Sequence, residues 1–233
     1  MKLIVLKNKK EVAEKTASII EKEIKNNPYI VLGLATGSTM IPLYKTLAKL
    51  HKKNKIDFSK VKTFNLDEYL KLKKEDKSSY HHYMKKNLFN KTNIDINNTF
   101  FPSKNVKSYE KKIEKEGGID LLILGIGING HIGFNEPNSS QKSKTRVVNL
   151  TKNTISSNSK FFPKKLVPKR AITMGISTIL KSRKIILLAT GKSKADIIKK
   201  TLKSEPTPKI PSTFLKKHKN VLFIIDKGSA SKL

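Results

Sequence analysis

The 233-residue chain contains no cysteine. That excludes disulfides and thiolate-held metals or clusters. Arginine is nearly absent as well: only Arg146, Arg170 and Arg183 occur, although Lys and Arg together number 49 against 18 Asp and Glu, for a formal net charge of +31. Proteins that read nucleic-acid bases favour arginine, whose planar fork makes paired hydrogen bonds, and they concentrate charge on one element. Here the lysines are spread along the whole length, with no basic helix, zinc spacing or aromatic–basic RNA motif. No specific nucleic-acid partner is expected. A lysine-biased proteome accounts for the charge, which can still draw anionic substrates toward a cleft. Long hydrophobic runs are missing too. The N-terminal MKLIVLKNKKE has four consecutive apolar residues before charge resumes, too few for a signal-peptide core, and no stretch is long enough to span a bilayer. A cytoplasmic protein with no membrane partner is the expectation.

What the chain does have is short, compact apolar runs: YIVLGLAT, LLILGIG, IILLAT and VLFIID. Their length and the polar, helix-patterned segments between them read as buried strands alternating with helices. Lys2 to Lys7 reads as a strand, and Val12, Thr16, Ile20 and Ile24 fall four apart in an amphipathic helix stopped near Asn27-Pro28. Strands are expected at Tyr29 to Leu34, Val61 to Leu66, Ile119 to Ile126, Ala171 to Ile176, Lys184 to Ala189 and Val221 to Asp226. This pattern predicts an α/β fold, a mainly parallel, doubly wound (Rossmann-like) sheet flanked by helices, in one domain over 1–233. Ligands of such sheets sit beyond the carboxyl ends of the strands. Three polar clusters are predicted there: ATGST, DEY and GINGHIGFNEP.

In ATGST, Gly37 permits a sharp strand-to-helix turn, and Ser38 and Thr39 bring hydroxyls and amides to a helix start, where an anion is favoured. An ordinary capped turn is the equally weighted alternative. The lysine of a P-loop is missing. In FNLDEY, alternation sends Asp67 and Glu68 in different directions; one can serve as a base, although such residues more often cap helices. Gly125, Gly127 and Gly130 formally match a dinucleotide fingerprint, but Pro137 interrupts any following helix and no acid occurs between Glu136 and Asp196. The nicotinamide reading fails. His131 and Glu136 remain on a glycine-rich loop, an imidazole beside a carboxylate that can orient it for proton transfer. His51, His81, His82 and His218 lack such company. No histidine pair accompanies a carboxylate at ligand spacing near these loops, so no metal is expected. Lys160 and Lys194 are each able to reach a phosphate, the latter from a helix start, against a default of solvated surface.

Taken together, LGLATGST, TFNLDEY, SSYHHYM, GGIDLLILGIGINGHIGFNEP, KTRVVNLT, NSKFFP, VPKRAITMGISTIL, LLATGKSKA and PSTFLKKH resemble the glucosamine-6-phosphate deaminase family, in family order from about residue 30 onward. GHIGFNEP joined to FNLDEY is the specific part. The sister 6-phosphogluconolactonases carry an S-L-F-P type sequence where this chain has FNEP. The resemblance implies conversion of glucosamine 6-phosphate to fructose 6-phosphate and ammonia, without a cofactor. It implies Asp67 as the base acting between C2 and C1, and His131, oriented by Glu136, as the ring-opening acid/base. Asn129 stands where relatives often have aspartate, which excludes a charged Asp–His relay. Gly37, Ser38, Thr39, Lys160 and Lys194 match phosphate-binding positions, Lys160 replacing a common arginine and Met40 a common proline. Allosteric hexameric relatives carry a longer C-terminal region and polar effector contacts where this chain has Val148 and Asn149. Hyperbolic kinetics, no activation by N-acetylglucosamine 6-phosphate and a monomer are therefore expected. Alternatives are a related sugar-phosphate isomerase, a lactonase-like hydrolase or a non-catalytic sugar-phosphate-binding protein.

Overall fold

The computed structural model describes residues 1–159, 162 and 167–233. Its strands are β1 (Lys2–Leu6), β2 (Val31–Leu34), β3 (Lys62–Asn65), β4 (Asp67–Tyr69), β5 (Thr99–Phe100), β6 (Leu121–Leu124), β7 (Arg146–Asn149), β8 (Arg170–Thr173), β9 (Lys184–Ala189) and β10 (Val221–Asp226). Its α-helices are α1 (Lys9–Asn26), α2 (Met40–Lys52), α3 (Tyr80–Asn87), α4 (Val106–Lys115), α5 (Lys152–Asn158), α6 (Ile176–Leu180) and α7 (Ala195–Lys203). Seven strands form one parallel sheet in the order β1-β10-β9-β6-β2-β3-β5. The expected α/β fold class is therefore borne out.

The apolar runs are buried because helices cover them. Val12, Ile20 and Ile24 of α1, Leu43 and Leu47 of α2 and the strand residues Leu122, Ile186 and Ile224 belong to one core. Asn8 caps α1 by accepting from the amides of Lys10 and Glu11. Tight approach of β2 to β6 depends on Gly33: a side chain there would begin 2.1 Å from Leu122 Cδ1.

Two things differ from the sequence reading. Arg170–Thr173 is a strand, but not of the main sheet: it is the centre of a second, antiparallel sheet, β4-β8-β7. Residues 138–170, for which the sequence reading names no strand or helix, supply β7 and α5. Strands of three or four residues with mixed composition, such as DEY and RVVN, carry too little alternation to stand out; cross-strand pairing creates them.

The sheet order locates the ligand crevice. From β2 the chain runs outward through β3 and β5, then returns to β6 on the other side of β2 and continues through β9 and β10. The direction of winding reverses between β2 and β6, and the loops leaving their carboxyl ends must diverge there. Those loops are ATGST and GIGINGHIGFNEP.

Candidate active site

A cavity of about 600 Å³ opens at this switch point. Thr36–Met40 after β2, Asp67 on β4, Gly125–Asn129 and His131 after β6, Thr154 and Asn158 of α5, and Thr190, Ser193 and Lys194 after β9 all line it. Of the residues singled out in the sequence, Gly37, Ser38, Thr39, Asp67, Asn129, His131 and Lys194 thus meet around one space. Glu136 stands behind His131. Lys160 lies outside the described residues.

The ATGST turn is held from beneath. Gly37 takes a left-handed conformation (φ 107°), and its carbonyl accepts from Tyr83 Oη at 2.7 Å. Tyr44 Oη donates to the carbonyl of Ala35. Thr39 precedes α2 without a side-chain cap, and the amide of Met40 donates to the carbonyl of Gly37 at 3.0 Å. Met40 is fully buried with its methyl against Gly125.

Asp67 and Glu68 part company as strand alternation requires. Glu68 turns to α3, accepting from the amides of Tyr80 (3.0 Å) and His81 (3.0 Å) and from His81 Nδ1 (2.7 Å). It is a helix cap. Asp67 turns to the cavity and is only 6% exposed. Burial pushes its carboxyl up to about 8, and the charge of Glu68 adds to the rise. In register, Asp67 faces Thr173 of β8, and Thr173 Oγ1 accepts from the amide of Phe134 at 3.0 Å. The small sheet thereby docks Asp67 beside the glycine-rich loop.

That loop is shaped around an imidazole. A side chain at Gly127 would begin 2.3 Å from Cε1 of His131, so only glycine leaves room for the ring. His131 Nδ1 lies 3.5 Å from Glu136 Oε2, at the outer edge of hydrogen-bond reach, and has no other partner among the described residues. Glu136 is otherwise fully engaged. Asn129 Nδ2 donates to Oε2 at 2.8 Å, and Thr154 Oγ1 donates to Oε1. Burial alone would raise its carboxyl, but His131, Thr154 and Asn129 together bring it down to about 2. Asn129 Oδ1 also accepts from the amide of His131 at 3.2 Å. An ionised aspartate at 129 would have no proton for Glu136 and would repel it.

Lys194 Nζ donates to the carbonyl of Ile126 at 2.7 Å, drawing its ammonium to the cavity wall. The sequence reading missed Tyr80, Phe134, Thr154 and Asn158. Tyr80 stacks on Phe134, with centroids 6.0 Å apart and planes inclined 14°. Neither composition nor spacing marks these residues, because folding of distant segments makes them neighbours.

Comparison with known proteins shows the family. The family profile described as glucosamine-6-phosphate isomerases/6-phosphogluconolactonase matches residues 7–224. The chain belongs to that family. A protein of Clostridium botulinum (strain Langeland / NCTC 10281 / Type F) named glucosamine-6-phosphate deaminase is 52% identical, the match spanning 100% of this chain and 99% of that one. A Thermoanaerobacter sp. (strain X514) protein of the same name is 51% identical across 99% of this chain and 94% of its own length. Among solved structures, one described as a monomeric glucosamine-6-phosphate deaminase superposes with a TM-score of 0.97 at 39% identity, covering 100% of both chains. The family's other branch is more distant: the 6-phosphogluconolactonase of Leishmania guyanensis shares the fold (TM-score 0.77) at 19% identity, over 100% of this chain and 98% of that one.

Proposed function

We propose that this chain deaminates glucosamine 6-phosphate, yielding fructose 6-phosphate and ammonia in amino-sugar catabolism. The observation that carries the reading is the pairing, around one cavity, of a buried carboxylate that receives no hydrogen bond from the described residues with an imidazole backed by a fully bonded carboxylate. The first suits a carbon acid and the second an oxygen.

His131, with Nδ1 toward Glu136, presents Nε2 to the sugar. It takes the proton of the C1 hydroxyl and returns one to the ring oxygen, opening the pyranose. Asp67 then removes the proton from C2 and delivers one to C1, through an enolamine. Water adds to the resulting C2 imine, and ammonia departs, leaving the ketone. Every step is a proton transfer or a hydrolysis, which side chains and water perform without redox or carbanion-sink chemistry. Gly37, Ser38, Thr39 and Lys194 bind the phosphate through amides, hydroxyls and an ammonium; Lys160 is assigned there by resemblance alone.

Lactone hydrolysis, the family's other chemistry, moves no carbon-bound proton and needs no base at C2. A coupled assay for ammonia and fructose 6-phosphate tests the reading. Equimolar release of both supports it, and turnover of a phosphogluconolactone without ammonia release from the amino sugar would replace it. The solved relative described as monomeric supports extending the reading to a monomer that saturates hyperbolically and ignores N-acetylglucosamine 6-phosphate. Sigmoidal saturation relieved by that compound would overturn this part. No helix among the described residues is long and apolar enough to cross a membrane, which fits a soluble enzyme of the cytoplasm.

A further inference from the structure

Asp226, the last residue of β10, is a buried carboxylate (8% exposed) that the proposed chemistry does not use. In a chain with 49 Lys and Arg, no cation among the described residues pairs with it. Its oxygens are spent on a neighbouring loop instead. Gly191 donates its amide to both, at 2.9 and 3.0 Å. Ser229 adds its amide at 2.8 Å and its hydroxyl at 2.9 Å, and that hydroxyl also lies 3.0 Å from the carbonyl of Ala189, the last residue of β9.

The peptide so held is the entrance to the cavity's cationic turn. Gly191 has φ 91° and ψ 152°, a conformation closed to residues with a side chain. It opens the single 3-10 turn Lys192–Lys194 that leads into α7, and its carbonyl accepts from the amide of Lys194 at 3.0 Å. Thr190, Ser193 and Lys194 line the cavity from this turn. Gly228 backs it: a side chain there would begin 3.2 Å from the amide nitrogen of Lys192. The turn is thus pinned on one side by Lys194 to Ile126 and on the other by Gly191 to Asp226. A negative charge close to an anion site works against the anion, so its contribution there is geometric.

We infer that Asp226 is a positioning residue for the phosphate subsite: by holding the Gly191 amide, with Ser229 as its partner, it sets where Ser193 and Lys194 meet the sugar's phosphate. The inference rests on the assignment of that turn to the phosphate. Asp226→Asn keeps the shape and, with its oxygen in the Oδ1 place, the bonds from Ser229, but it turns an NH2 group toward the Gly191 amide, itself a donor, so the turn should shift.

The test measures kcat, KM and the competitive inhibition constant of inorganic phosphate in the parent, Asp226→Asn, Ser229→Ala and Lys194→Ala. For Asp226→Asn, KM and the phosphate constant should both rise roughly tenfold, the scale of one charge-assisted hydrogen bond, with kcat changed by less than about threefold. Ser229→Ala should move both in the same direction by less. A purely structural role would lower Tm and the active fraction while leaving KM and the phosphate constant alone, and that result overturns the inference. If Asp226→Asn does not fold, Ser229→Ala decides: a raised phosphate constant supports the inference and an unchanged one refutes it. If Lys194→Ala leaves the phosphate constant unchanged, the phosphate assignment itself falls, and this inference with it. If Lys194→Ala raises it and Asp226→Asn does not, only the inference on Asp226 falls.

Discussion

Two buried carboxylates flank the same cavity, on the small antiparallel sheet and on the loop after β6, and their surroundings drive them in opposite directions. Asp67 is pushed up to about 8 because burial removes water, no described residue donates to it in return, and the charge of Glu68 adds to the rise. Glu136, also buried, is brought down to about 2 because Asn129, Thr154 and His131 supply the hydrogen bonds and charge that water would have supplied. Burial by itself therefore says little about a carboxylate's role; its donors decide. A carboxylate without donors is a strong base with a proton to take, whereas one saturated with donors is a fixed negative charge that orients and stabilises an imidazole.

The largest expected effect comes from removing either proton-transfer group. Asp67→Asn and His131→Gln should each lower kcat by about 10²–10⁴-fold, the usual range for general acid–base groups. Because Asp67 must be ionised to accept a proton, kcat/KM of the parent should climb as pH rises through about 8, the position set by its burial. A profile already flat from pH 6 upward would mean that the free enzyme supplies Asp67 with a donor.

Lys194→Ala should act on binding instead. Loss of a charge-assisted hydrogen bond of about 1.5–3 kcal/mol raises KM roughly ten- to a hundredfold. An unchanged KM would remove Lys194 from the phosphate subsite.

A further effect is on stability, and its sign is the informative part. Unfolded, Asp67 releases its proton near 3.8, whereas folded it holds the proton to about 8. Between those values the native state binds more protons, so this group makes stability fall as pH rises. Asp67→Asn abolishes the dependence. The inactive variant should melt above the parent at about pH 8, with the gap shrinking toward about pH 5, in a thermal-shift series. A gap independent of pH would contradict the account of Asp67, while Glu136 predicts no such gain from its own amide variant.

The main sheet was legible in the sequence because its strands are buried on both faces, so Leu121–Leu124, Lys184–Ala189 and Val221–Asp226 are almost continuous apolar runs. The residues proposed to transfer protons were legible from their company, His131 among glycines and Asp67 just past an apolar strand. Their division of labour was not. Whether Asp67 or Glu68 faces the cavity depends on β4 pairing with β8, a contact between segments more than 100 residues apart. Tyr80, Thr154 and Asn158 reach the cavity through the same long-range packing. Asn129 looked like a departure in sequence; the hydrogen bond that its side-chain amide donates to Glu136 gives it a task that an ionised aspartate would not perform.

The central claim is that Asp67 handles the proton at C2 and that the His131–Glu136 pair handles the ring. Substrate deuterated at C2 tests it most directly, through the kinetic isotope effect on kcat in the parent, His131→Gln and Asp67→Asn. With ring opening made slow, the histidine variant should show a smaller isotope effect than the parent, and open-chain substrate should restore part of its rate. The aspartate variant should show an effect at least as large as the parent and gain nothing from open-chain substrate. The reverse pattern would contradict the account and assign the C2 proton to His131.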